Sequence, residues 1–142
     1  MRLITIFILF LISSAVFSQN NNKEEFLYSC PSYNDIKYIN GQFTATTNYN
    51  GLKTDWFSVQ SFPEASVDVI FIRANMGNEC IGGLCEIECV YKPNSRAGGY
   101  VFLEVPFQAY VFSHVGSGEW HGNICENSIP SACEFYMVKD PI

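Results

Sequence analysis

The chain of 142 residues has little of what common catalytic and metal sites require. Its two histidines, His114 and His121, have six residues between them, and zinc-binding pairs usually have three to five. It contains no C-x-x-C redox pair, no G-x-S-x-G nucleophile elbow and no Gly-Lys-Ser/Thr phosphate loop. These absences disfavour zinc sites, thiol exchange, α/β-hydrolases and nucleotide binding, so we expect no cofactor and no enzymatic activity.

Basic residues are also few. Eight Lys and Arg stand against fourteen Asp and Glu, for a formal charge of −6. A negative chain is a poor match for nucleic acid or for anionic membrane surfaces. Glu79, Glu86 and Glu88 predict an acidic stripe on one strand face. This stripe would favour a basic protein partner, and the same charge would also keep a secreted domain soluble.

The one long hydrophobic run lies at the start of the chain. Residues 1–18 have one cation, about ten apolar residues and then small residues, the pattern of a signal peptide cleaved after Ser18. The run is shorter than the roughly 20 residues of a membrane span, so we expect no span after cleavage. Residues 19–29 are predicted to be a flexible mature N-terminus and residues 30–142 a single domain. The predicted signal peptide therefore indicates a secreted or periplasmic protein.

All six cysteines follow the signal, where thiols oxidise, so we expect a disulfide framework and no metal site. Cys85 and Cys89 share one face of a predicted strand about 13 Å apart, too far to pair. Two sets of bonds remain open. The first set is Cys80–Cys85, Cys125–Cys133 and Cys30–Cys89. The rival set replaces the last two bonds by Cys30–Cys133 and Cys89–Cys125.

Turn signals between alternating segments predict an all-β fold. Asn40-Gly41 and Asn50-Gly51 are typical of type I′ hairpin turns, and they predict a meander of strands over 35–39, 42–49 and 52–59. Further strands are predicted over 67–73, 84–92, 100–105, 107–114 and 134–138. The result is a disulfide-stabilised antiparallel β-sandwich or barrel of about seven to eight strands. The only candidate for a helical turn covers 63–66.

Two groups of residues are candidates for a site. His114 and His121 flank the turn 116–118 with Glu119 between them, and a hairpin there would bring them together as a metal or acid–base site. The plainer interpretation is a pair of surface histidines. Trp56 and Trp120 lie beside polar or acidic residues, and they predict a partly exposed surface for a protein or carbohydrate partner.

Several short motifs together resemble those of a known family. They are Cys30-Pro31-Ser32 leading into the segment 36–45, then Cys89-Val90-Tyr91, Trp120, Cys125 and Cys133-Glu134-Phe135. This pattern is similar to that of short secreted bacterial proteins known only as a domain of unknown function. The resemblance implies a bacterial secreted or periplasmic setting and transfers no activity and no catalytic residue. Cys80 and Cys85 are additional to the family pattern.

Taken together, the sequence predicts a secreted, disulfide-bonded binding protein without enzymatic activity. One alternative is an inhibitor of a basic hydrolase such as lysozyme, which small size and acidity would suit. Another is a small hydrolase or metal-dependent enzyme that uses His114, Glu119 and His121.

Overall fold

The computed structural model describes residues 25–49, 51–62, 68–77, 85–94, 99–105, 110–114 and 119–139. The predicted signal peptide and the predicted helical turn at 63–66 lie outside these residues. The described chain forms short 3-10 turns at Tyr33–Asp35 and Pro130–Ala132 and has eleven strands. These strands are β1 (Glu25–Tyr28), β2 (Ile36–Ile39), β3 (Gln42–Tyr49), β4 (Leu52–Ser58), β5 (Val69–Met76), β6 (Ile87–Pro93), β7 (Val101–Glu104), β8 (Tyr110–His114), β9 (Trp120–His121), β10 (Ile124–Glu126) and β11 (Phe135–Lys139).

The strands form two antiparallel sheets, which confirms the all-β prediction. The larger sheet has eight strands in the order β2-β3-β4-β7-β6-β5-β10-β9, and the smaller has the order β1-β11-β8. The strands outnumber the predicted seven to eight because β1, β9 and β10 are short segments that the turn signals did not reveal. Within the described residues no helix is long and apolar enough to cross a membrane.

The predicted meander is present as β2, β3 and β4. Asn40 and Gly41 both have positive φ angles, 50° and 86°, as a type I′ turn requires. Strand β3 alternates as predicted, since Phe43, Ala45 and Thr47 are buried while their neighbours are more exposed. One face of this part of the sheet therefore belongs to the core.

A β-bulge in β5 changes which residues of that strand face the core. The register of β5 against β6 shifts between Phe71 and Arg73. Before the shift Val69 and Phe71 are buried, and after it Ala74 and Met76 are buried. A bulge inserts one residue and so exchanges the two faces of the strand. Strand β5 continues to Met76, three residues beyond the predicted end at residue 73.

The two sheets pack face to face through aromatic side chains. Tyr28 of β1 contacts Tyr49 of β3 with ring centroids 4.6 Å apart, and Phe135 of β11 contacts Trp56 of β4 at 6.4 Å. Tyr28 is only 1% exposed. Within the predicted mature N-terminus 19–29, residues 25–28 therefore form strand β1, which pairs with β11, and Tyr28 packs in the core.

Two disulfides tie the segments around this core. Cys30 is bonded to Cys89 and Cys125 to Cys133, and all four residues are buried. These bonds belong to the first predicted set, so the rival pairing Cys30–Cys133 with Cys89–Cys125 is wrong. Cys85 is also disulfide-bonded. The predicted Cys80–Cys85 bond involves Cys80, which lies outside the described residues.

Candidate functional site

Trp56 lies in the core and not on a binding surface. Its side chain is 1% exposed, and its indole N–H donates a hydrogen bond to Thr47 Oγ1 at 2.9 Å. The prediction of an exposed Trp56 is wrong because polar neighbours in sequence occupy the opposite face of a strand. Asp55 and Phe57, on either side of it, are both exposed.

The described strands place His114 in one sheet and Trp120 and His121 in the other. Among the described strands β8, which carries His114, pairs with β11, while β9, which carries His121, pairs with β10 in the other sheet. Trp120 is half-buried and donates its indole N–H to the Glu134 carbonyl at 2.7 Å. His121 and Glu119 are exposed. The described part of the chain has no group of three His, Cys, Asp or Glu residues arranged to hold a metal ion.

The outer face of the eight-stranded sheet carries a groove of about 520 Å³. We call it the acidic groove. Strand pairing sets five of its lining residues in one row across the sheet, each directly opposite the next. The row runs from β4 to β10 as Phe57, Glu104, Glu88, Asn75 and Ile124. Two carboxylates thus occupy its middle, and an exposed apolar side chain stands at each end.

Like charges meet in the middle of this row. Glu88 and Glu104 are a direct cross-strand pair, an arrangement that destabilises a sheet when both are ionised. The pKa of Glu104 is raised, first by burial and then by the negative charges of Glu88 and Glu86. Among the described residues the only salt bridge is Lys53–Asp55, so the groove carboxylates have no cationic partner.

The wall of the groove on β5 holds polar atoms without partners. Asn75 donates its amide to Glu88 Oε1 at 2.7 Å, which leaves Asn75 Oδ1 buried and without a hydrogen bond in the described structure. Arg73 Nε is also buried without a partner there. Buried polar atoms normally find a partner, so the β5 wall of the groove holds two unsatisfied polar atoms that are shielded from solvent. With three Glu and one Arg among its lining residues, the groove has a net charge of −2.

Sequence reasoning found part of this site. Glu86 and Glu88 belong to the predicted acidic stripe and do line the groove, while Glu79 lies outside the described residues. Glu104 was missed because its membership depends on the pairing of β6 with β7. The only signal in the sequence was its place at the end of the alternating segment Val101-Phe-Leu-Glu104.

The chain has no match among protein-family models, curated proteins or solved structures. The resemblance to a family of unknown function therefore stays a prediction, and the chain's own geometry is the basis for a function.

Proposed function

We propose that this protein is a secreted, disulfide-bonded binding protein that holds a basic protein partner in the acidic groove. The observation that carries the proposal is the cross-strand pair of Glu88 and Glu104 between two exposed apolar side chains. An incoming Lys or Arg side chain has an aliphatic stem and a cationic head. The stem fits against Phe57 or Ile124, and the head neutralises the carboxylates.

The unfavourable electrostatics of the free protein support this role. Two ionised carboxylates repel each other, and a bound cation converts that repulsion into attraction. The partial burial of Glu104 removes part of the solvent screening around it and so strengthens its interaction with a cation.

A basic lysozyme is a suitable first probe because it is a small secreted protein of opposite charge. We expect calorimetry to detect micromolar binding at low ionic strength. Binding should weaken strongly at 1 M salt, where the screening length falls to about 3 Å. Lysozyme activity measured in the same mixtures shows whether binding also inhibits, as in the alternative that the sequence suggests.

Single substitutions locate the binding surface. Glu88→Gln and Glu104→Gln should each weaken binding about threefold to tenfold, since each removes one partly buried charge contact. Glu134→Gln is the matched control, because Glu134 is exposed, lies outside the groove lining and changes the net charge equally. If all three substitutions weaken binding equally, binding depends only on the net charge of the protein, and the groove is not the binding site. Absence of binding at low salt would refute the basic partner.

The affinity should also depend on pH in one direction. A bound cation favours the ionised carboxylate, so binding weakens as the pH falls through the raised pKa of Glu104. Glu104→Gln should reduce this dependence, whereas Glu134→Gln should leave it unchanged.

A further inference from the structure

A second recess shares no lining residue with the acidic groove and has a different chemistry. It has a volume of about 460 Å³, within the range of small-molecule sites, roughly 300–1,000 Å³. Its walls come from the segment after β1, the end of β3, the start of β5 and the loop between Cys125 and Cys133. We call it the Tyr33 cleft, after its most exposed aromatic residue.

The lining of the Tyr33 cleft is uncharged and rich in hydroxyl groups. None of its twelve lining residues is acidic or basic, and six carry a hydroxyl. These six are Ser29, Ser32, Tyr33, Tyr49, Ser128 and Ser131. An uncharged lining offers no counter-ion to a charged ligand, and so many hydroxyls do not suit a purely hydrocarbon ligand. The chemistry selects a neutral ligand that itself carries many hydrogen-bonding groups.

Exposed apolar side chains complete the cleft. Tyr33, Ile129 and Ile70 are 66%, 58% and 50% exposed. Within the described structure the Tyr33 ring has no aromatic partner. A flat ring beside hydroxyls matches a sugar, which has apolar C–H faces and hydroxyl groups around its edge.

Covalent bonds and hydrogen bonds hold the walls of the cleft in place. The loop that carries Ser128 to Ser131 is closed by the Cys125–Cys133 bond, and Cys30, itself a lining residue, is bonded to Cys89. The hydroxyls of Ser29 and Tyr49 are hydrogen-bonded at 2.9 Å. A site held in this way loses little conformational entropy when a ligand binds.

We propose that the Tyr33 cleft binds a neutral carbohydrate, with the Tyr33 ring stacked on a sugar face and the cleft hydroxyls bonded to its edge. This site is separate from the acidic groove, so it does not depend on the proposed basic partner. It would allow the protein to attach to a neutral polysaccharide while the groove remains free.

Saturation-transfer NMR and calorimetry with cellohexaose, maltohexaose and chitohexaose test the proposal. At least one of these neutral hexasaccharides should bind at millimolar concentration or below. Tyr33→Ala should weaken that binding about tenfold, while Tyr33→Phe, which keeps the ring, should retain most of it. The matched control is Tyr100→Ala, since Tyr100 is 51% exposed and is not part of the cleft lining.

Three results would overturn the assignment of a neutral carbohydrate ligand. The first is the absence of saturation transfer to all three sugars at millimolar concentration. The second is an equal loss of affinity in Tyr33→Ala and Tyr100→Ala, or no loss in either. The third is tighter binding of an anionic oligogalacturonate than of any neutral sugar, because the cleft has no cation to favour it. Melting temperatures of the variants, expected to equal that of the parent, verify that each is folded.

Discussion

Removing the Cys30–Cys89 and Cys125–Cys133 disulfides one at a time measures how much each bond stabilises the fold. The bonds Cys30–Cys89 and Cys125–Cys133 close loops of very different length, with sequence separations of 59 and 8. In the chain-entropy model a bond stabilises the fold by restricting the unfolded chain, and the effect grows with the logarithm of loop length. The relation predicts that the bond closing the long loop stabilises the fold by about 4 kcal/mol and the bond closing the short loop by about 2.5 kcal/mol.

The two double variants are matched controls for each other. Cys30→Ala/Cys89→Ala and Cys125→Ala/Cys133→Ala remove the same atoms from four sites that are at most 1% exposed. Their cavity terms therefore largely cancel in the comparison. The free energy of unfolding, measured by urea denaturation with fluorescence of the buried Trp56, should be lower for the long-loop variant by about 1.5 kcal/mol. Equal losses, or a larger loss for the short loop, would refute the entropic reasoning.

Two further substitutions probe one partly buried carboxylate and one buried hydrogen bond. Glu104→Gln should raise the melting temperature at pH 7, because burial and nearby carboxylates disfavour the ionised side chain. This increase in melting temperature should become smaller as the pH falls below the raised pKa of Glu104 towards 4.5, because the glutamate is then protonated and uncharged. An increase that becomes larger in acid would contradict the prediction. Tyr91→Phe should lower the free energy of unfolding by about 1–3 kcal/mol, because it removes the 2.6 Å hydrogen bond to the Pro31 carbonyl. Urea denaturation measures that loss, and an unchanged midpoint would show that the bond contributes nothing.

The Glu104 predictions together separate function from stability. If the substitution stabilises the fold and also weakens binding of the basic probe, Glu104 is kept at a cost in stability, as expected of a binding residue. If it stabilises the fold and leaves binding unchanged, the groove has no part in recognition.

Sequence patterns were reliable where a local rule decides the conformation. The Asn40-Gly41 turn, the alternation of β3 and the exclusion of a Cys85–Cys89 bond follow from φ angles, side-chain period and the distance that a disulfide can span. The choice between the two sets of cysteine pairs required the structure. Sequence patterns were unreliable where the sequence did not decide whether a side chain faces the core or the solvent. Trp56 was placed by the polarity of its sequence neighbours, although those neighbours belong to the other face of the sheet.

The sequence by itself determined an acidic, cysteine-rich, antiparallel β protein, because hairpin turns and period-two alternation act between residues close along the chain. Only the tertiary structure decided what lies on each surface. The bulge in β5 exchanged its faces beyond Phe71, and the pairing of β6 with β7 set Glu104 opposite Glu88. Strand register and strand order depend on the fit between distant segments, so the acidic groove and the Tyr33 cleft exist only once the sheets are assembled.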